Sequence, residues 1–221
     1  MLLNPDQRMK LDTNSDALFY DYPRFVTHVD EGFIAQLTEV YRQYLRPQMH
    51  VLDLMSSWVS HLPDEMEFAV VEGHGMNAEE LARNPRLNHY VVQDLNQSPQ
   101  LPYREAQFDA VLIAVSVQYL QYPEAIFAEI CRVLRPQGVA IVSFSNRMFF
   151  QKAIQIWRDR SEAGRVELVK QYFQAIPGFE QVETISRPAP LGGMFQSLGF
   201  AGADPFYAVI AHRRAMPSGS N

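Results

Sequence analysis

The run Phe108-Asp109-Ala110-Val111-Leu112-Ile113-Ala114-Val115 carries apolar side chains at nearly every position instead of every second one. Successive residues of a strand point to opposite faces, so a strand that is apolar on both must be covered on both. That condition is met by a central strand of a parallel sheet with helices above and below it. Shorter apolar runs occur at Val51-Leu52-Asp53-Leu54, Phe68-Ala69-Val70-Val71-Glu72, His89-Tyr90-Val91-Val92-Gln93 and Val139 to Phe144, with helical patterns among the segments between them. Such alternation predicts a mostly parallel sheet with right-handed crossovers. Two further strands, Phe179 to Ser186 and Phe206 to His212, bring the expected number to seven. At 221 residues and 47% hydrophobic content the chain is long enough for one large domain with a real core.

The helices follow from local signals. Phe33, Ile34, Leu37, Val40, Tyr41, Tyr44 and Leu45 fall on one stripe that Pro47 ends. Asn77 is placed to cap a helix running to Ala82, and Pro123 fits the first turn of another whose inward face is Ile126, Phe127, Ile130, Val133 and Leu134. Arg135 to Gly138 reads as a turn. A helical region is expected from Met148 to Ala175, interrupted at Gly164. The aromatic cluster from Phe19 to His28 has no periodicity and must pack on something to be ordered. The glycine-containing stretch Arg187 to Pro205 is expected to be mobile, and Met216 to Asn221 disordered. The predicted organisation is an N-terminal aromatic segment and cover helix (1–47), an α/β domain (48–214) and a tail (215–221).

Composition excludes several classes. A net charge of −6 argues against broad attraction to nucleic acid. No apolar run is long enough to cross a bilayer and the N-terminus lacks signal-peptide character, so a soluble cytoplasmic protein that binds no membrane is expected. The single cysteine, Cys131, permits no intrachain disulfide and sits on a helix as a core filler. His61, His74 and His89 lack the spacing of a metal site, and no metal is expected. No G-x-G-x-x-G follows any strand, which places a dinucleotide oxidoreductase last among the possible activities.

The segment from His50 to Pro63 reads as a strand ending on a carboxylate, then a polar turn that opens a helix, the arrangement with which open α/β sheets build a ligand crevice. Together with Phe108-Asp109-Ala110-Val111 and Glu129-Ile130-Cys131-Arg132-Val133-Leu134-Arg135-Pro136-Gln137-Gly138, this order of motifs resembles a class I S-adenosylmethionine-dependent methyltransferase of the small-molecule type. The resemblance covers Val51 to Ser145 and extends more weakly to His212. It implies a Rossmann-like, doubly wound sheet with helices on both faces and S-adenosylmethionine, or S-adenosylhomocysteine as product, as ligand.

Carried over residue by residue, the resemblance makes Asp53 the strand-end acid of the first motif. Met55, Ser57 and Val59 stand where that family has glycines, and Ser56 and Ser57 keep the capacity to hydrogen-bond the methionine end of the cofactor. The acid expected to hold the ribose falls at Gly75, which has no side chain. Asn77 is the substitute proposed by position, with Met76 against the adenine ring. Asp94 matches the acid that accepts from the adenine amino group, with Leu95 beside it. Asp109 lies at the wrong end of the sheet for a ligand and reads as structural.

Methyl transfer is an in-line displacement that requires positioning more than acid–base chemistry. The expected acceptor is a small, partly apolar or aromatic molecule, met by Tyr20, His28, His61, Tyr119 and Asn146, with Tyr22, Ser116, Gln118, Ser145 and Arg147 as further candidates. No catalytic residue and no oligomeric state follow from the sequence. The competing reading is a non-catalytic protein of the same fold that binds a nucleoside or a protein partner.

Overall fold

The computed structural model describes residues 2–188 and 203–215. Seven strands form one sheet: β1 (His50–Leu54), β2 (Val70–Gly75), β3 (His89–Val92), β4 (Phe108–Ala114), β5 (Leu134–Phe144), β6 (Phe179–Arg187) and β7 (Phe206–Arg213). Their spatial order is β3-β2-β1-β4-β5-β7-β6. The pairs from β3 to β5 are parallel, whereas β7 runs antiparallel to both β5 and β6. The strand order reverses between β1 and β4, which creates a switch-point crevice at the carboxyl ends of the strands.

Two apolar layers sandwich the sheet. On one side α2 (Glu31–Tyr44) lays Phe33, Leu37, Val40 and Tyr41 over Val51, Ala110, Leu112, Ile141 and Ile210. On the other, α4 (Pro123–Val133) and α6 (Glu162–Gln174) contribute Ile126, Phe127, Ile130, Val169, Tyr172 and Phe173 against Leu52, Val111, Ile113 and Val142. Successive residues of β4 thus enter opposite cores, as its unbroken apolar run requires. The short helices are α1 (Asp16–Tyr20), α3 (Ala78–Arg83) and α5 (Gln155–Asp159). Leu3, at the start of the chain, is buried in the second layer.

Several expectations need correction. Residues 55–69 contain no helix, although the polar turn after β1 suggested one, and residues 93–107 between β3 and β4 contain none either. After β1, Met55 and His61 adopt left-handed backbone (φ 60° and 54°). The hydroxyls of Ser56 and Ser60 turn back to the carboxylate of Asp53 (2.5 and 2.6 Å) instead of capping a new helix. The region from Met148 is not one helical span: residues 148–154 are irregular with a turn at 150–152, and the break falls at Arg160, with Ser161 accepting from the Gly164 amide (3.2 Å) as cap of α6. Gly164 therefore lies in a first turn, not between helices. The expected turn at Arg135 to Gly138 lies within β5, as an irregularity in its register with β4 where Gln137 has φ 66°. Most of the stretch expected to be mobile, and the tail from Met216, lie outside the described residues.

Candidate functional site

A cavity of about 590 Å³ opens at the carboxyl ends of the parallel strands. Its floor is made by the segments that follow β1 (Met55, Ser56, Ser57), β2 (Met76, Asn77), β3 (Gln93, Asp94, Leu95) and β4 (Val115, Ser116), and its outer wall by Tyr20, Arg24 and His28 with Asn146 to Phe150. Val115 holds φ 53°, a left-handed conformation that costs a side-chain-bearing residue roughly 1–2 kcal/mol. Its amide donates to the Ser143 carbonyl (2.8 Å) and its carbonyl accepts from Gln118 Nε2 (2.9 Å), which fixes this strained corner at the cavity floor.

The loop after β1 is drawn onto β2. The Ser56 amide donates to the His74 carbonyl (2.7 Å), Asn84 Nδ2 donates to the Ser57 carbonyl and to Ser60 Oγ (both 2.9 Å), and Ser57 Oγ donates to Glu80 (2.6 Å). A Cβ at Gly75 would lie 2.5 Å from the Ser56 carbonyl oxygen. The position where the resemblance expects an acid is therefore sterically closed by the loop that has lost its glycines. The two departures are one packing arrangement.

Asp53 and His61 do not face this cavity. They line a smaller one of about 70 Å³ with Val26, Trp58 and Val59. Burial pushes the Asp53 carboxyl up to about 6 even though two serine hydroxyls donate to it, and it acts as the pin of the loop. Burial lowers the His61 pKa. Trp58 turns outward, its indole N–H donating to the Val26 carbonyl (3.2 Å) and its ring edge-on to Phe25, so it does not fill the large cavity.

Asn77 caps α3 as expected, its Oδ1 accepting from the Glu80 amide (2.9 Å). Its Nδ2 donates to the carbonyls of Tyr20 and Asp21 (2.8 and 3.0 Å). Both N–H groups of the amide are thus spent on tying the N-terminal segment to α3, which removes Asn77 as a donor to a sugar. Glu80, whose amide Asn77 caps, faces the cavity with its carboxylate and accepts from Ser57 Oγ and the Arg24 amide (2.6 Å each). Asp94 accepts from the Asn96 amide through Oδ1 (2.9 Å), and among the described residues Oδ2 takes no hydrogen bond. Leu95 is buried beside it.

The outer wall is aromatic. Phe149 packs edge-on to Phe19 (5.1 Å) and His28 (5.2 Å) and stacks on Tyr119 (6.0 Å), and its amide donates to the Tyr119 hydroxyl (2.8 Å). The Arg24 guanidinium lies 4.5 Å over the Phe19 ring and forms no ion pair among the described residues. Burial lowers the His28 pKa, which keeps its imidazole neutral near pH 7. This wall is fastened by charges: Lys152, fully buried, meets Asp12 (3.0 Å) and Asp16 (3.2 Å), and Lys10 pairs with Asp16. Asp16, Arg24, His74, Glu80 and Phe149 were not singled out in the sequence as site residues. None of them carries a local signature, since it is the folding-back of the first thirty residues that brings them together.

These residues can be tested against an adenosyl cofactor. The volume lies within the roughly 300–1,000 Å³ of ordinary ligand sites. The lining residues include Asp94, whose Oδ2 takes no hydrogen bond among the described residues, with apolar side chains from Met76 and Leu95. Such a set fits a nucleoside. No helix N-terminus follows β1, and Met55 to Ser57 stand where backbone would otherwise approach the methionine end. Among the described residues no cluster could hold a metal ion, and no helix is long and apolar enough to cross a membrane.

Residues 67–142 match the methyltransferase domain family model. None of the curated protein sequences matches the chain. Among solved structures, the chain is similar to an S-adenosylmethionine-dependent methyltransferase from Archaeoglobus fulgidus (TM-score 0.60, 13% identity, 83% of this chain and 94% of that one). It is also similar to the [4+2]-cyclase SpnF (TM-score 0.59, 15% identity, 82% of each chain). A third similar structure is the S-adenosylmethionine-dependent methyltransferase from Mesorhizobium loti (TM-score 0.52, 15% identity, 79% and 96%). The match over residues 67–142 and the likeness of the whole sheet to these structures show that the chain has a methyltransferase-type fold.

Proposed function

We propose that the protein transfers a methyl group from S-adenosylmethionine to a small, partly apolar or aromatic acceptor. The observation that supports this reading is the cavity at the switch point, lined both by Asp94, whose Oδ2 takes no hydrogen bond among the described residues, and by an aromatic wall. In the proposed arrangement Asp94 accepts from the adenine amino group, Leu95 and Met76 flank the ring, and Met55, Ser56, Ser57 and Gly75 border the rest of the cofactor. Tyr20, His28, Tyr119 and Asn146 border the acceptor, whereas Asp53, Asn77 and His61 are assigned to holding the fold. When bound, the cofactor supplies an electrophilic methyl group. The protein's part is to exclude water and fix the acceptor in line. His28, neutral and at the cavity wall, can take up a proton if the acceptor carries one.

A second reading, a nucleoside-binding protein without methyl transfer, is favoured by the absent helix after β1 and by the acid lost at Gly75. The likeness to a cyclase illustrates that this fold alone does not fix the reaction. Calorimetric titration with S-adenosylmethionine, S-adenosylhomocysteine and NAD tests the cofactor. Binding of the first two and not the third is expected, and Asp94→Ala should weaken it by about 1–3 kcal/mol. Binding of NAD alone would defeat the proposal. Formation of S-adenosylhomocysteine together with a methylated product in the presence of small aromatic acceptors then separates the two readings.

A further inference from the structure

Arg24 lies on the outer wall of the large cavity, half-buried, with its guanidinium carbon 4.5 Å from the centre of the Phe19 ring and 5.6 and 5.9 Å from those of Phe149 and Tyr20. Its Nη2 donates to the Phe19 carbonyl (2.8 Å), and Nη1 reaches the Tyr22 carbonyl only at 3.4 Å. Among the described residues the remaining N–H groups of the fork have no acceptor, and no carboxylate pairs with it. Arg147, the other arginine of the lining, is already paired with Asp204 (2.6 Å), and Asp16 is met by Lys10 and Lys152. An aromatic wall lowers the cost of holding a cation but does not replace an anion. A planar guanidinium matches a carboxylate with two parallel donors.

On the same segment Tyr20 ends α1, and it also lines the cavity. Its hydroxyl takes no hydrogen bond among the described residues and is not sealed from solvent. Burial raises the Tyr20 pKa well above its ordinary value, so near pH 7 the phenol is a neutral donor. Both residues are held through their backbones: Asn77 donates to the Tyr20 carbonyl (2.8 Å), and the Arg24 amide donates to Glu80 (2.6 Å). Phe149, beside the guanidinium, stacks on Tyr119 (6.0 Å) and so continues the wall to the segment after β4. We infer that Arg24 and the Tyr20 hydroxyl bind a carboxylate of the acceptor, which makes the acceptor an aromatic or apolar acid. The inference rests on the methyl-transfer reading above and narrows its substrate class. A purely structural Arg24 would need only the edge that meets the Phe19 carbonyl, and the charge of the acceptor would then not affect binding.

The test is calorimetric titration of the full chain, saturated with S-adenosylhomocysteine, with benzoate, phenylacetate and cinnamate, each against its uncharged amide. At least one acid should bind about tenfold more tightly than its amide. Arg24→Met should abolish that preference and Tyr20→Phe should reduce it about threefold, with the affinity for S-adenosylhomocysteine itself unchanged in both. Should Arg24→Met melt below the assay temperature, the parent's preference and its reduction in Tyr20→Phe decide the question. Absence of any acid preference in the parent chain, or its survival in Arg24→Met, would overturn the inference while leaving the cofactor reading standing. Weakened S-adenosylhomocysteine binding in a folded Arg24→Met would also overturn it, since the guanidinium would then serve the cofactor. Failure of the parent chain to bind S-adenosylhomocysteine would instead overturn the cofactor reading and this inference with it.

Discussion

The two halves of the parallel sheet meet at the same crevice but are built differently. The β4–α4–β5 half follows local rules throughout. Its strand is apolar on both faces, its helix begins on a proline, and Phe127 packs between Tyr172 and Phe173 (5.3 and 4.7 Å). Asp109 at its amino end accepts from the His50 amide and from Arg135 (2.8 and 2.6 Å), which confirms it as a strand tie far from the cavity. The β1–β2 half replaces a helix with a loop held by side chains: Asp53 to Ser56 and Ser60, Ser57 to Glu80, Asn84 to Ser57 and Ser60. Packing against a helix resists single changes through many small contacts, whereas a hydrogen-bonded loop depends on a few groups with particular protonation and size. The helix-packed core of the first half therefore dominates stability, although Tyr119 and Asn146 beyond its strands also line the crevice, while the loop of the second half shapes the side of the crevice next to β2.

This contrast can be broken by mutation. The largest effect is expected from Phe127→Ala, which should cost about 3–5 kcal/mol in denaturant unfolding yet leave ligand affinity of the folded fraction unchanged. A matching loss of affinity would mean that the halves are not separable. Next comes the pH dependence of Asp53. Its folded pKa of about 6 lies above the ordinary 3.8, so the folded state holds the proton more tightly than the unfolded chain. Stability from this group is greatest below about pH 4, falls as pH rises towards 6, and the penalty then persists, amounting to about 3 kcal/mol. Asp53→Asn should flatten that slope in unfolding titrations between pH 4 and 7, and an unaltered slope would assign the proton elsewhere. The smallest effect is expected at Gly75. Gly75→Ala forces the Ser56 carbonyl away and should cost about 1–3 kcal/mol, and it should also reduce nucleoside affinity because the loop moves. Neutrality in both measurements would show that the loop is not fitted against β2.

What could be read from the chain follows the same division. The seven strands, the mostly parallel sheet and the α4 face were legible because burial on two faces, a first-turn proline and a helical stripe are local patterns, whereas the antiparallel β7 came only with the structure. The loop from Met55 to Phe68 was misread as opening a helix, since the competition that decides it, serine hydroxyls returning to a buried Asp53, is set by the fold. Asn77 was legible as a cap, whereas the use of both its N–H groups was not, because nothing in the sequence says that Tyr20 and Asp21 present their carbonyls to it. Arg24 carried no signal, because its place beside Phe19 and Phe149 comes only with the fold. The aromatic cluster from Phe19 to His28 was recognised as needing something to pack on, and it forms the cavity wall.

The central claim is that a nucleoside cofactor sits at the carboxyl ends of β2 and β3 despite the rebuilt loop. The most direct measurement is a crystal structure of the protein with S-adenosylhomocysteine. The adenine amino group is expected on the Asp94 carboxylate, the ring between Met76 and Leu95, and the loop at Met55 to Ser57 in place. Adenine seated elsewhere, or a cavity that stays empty at saturating ligand, would contradict it.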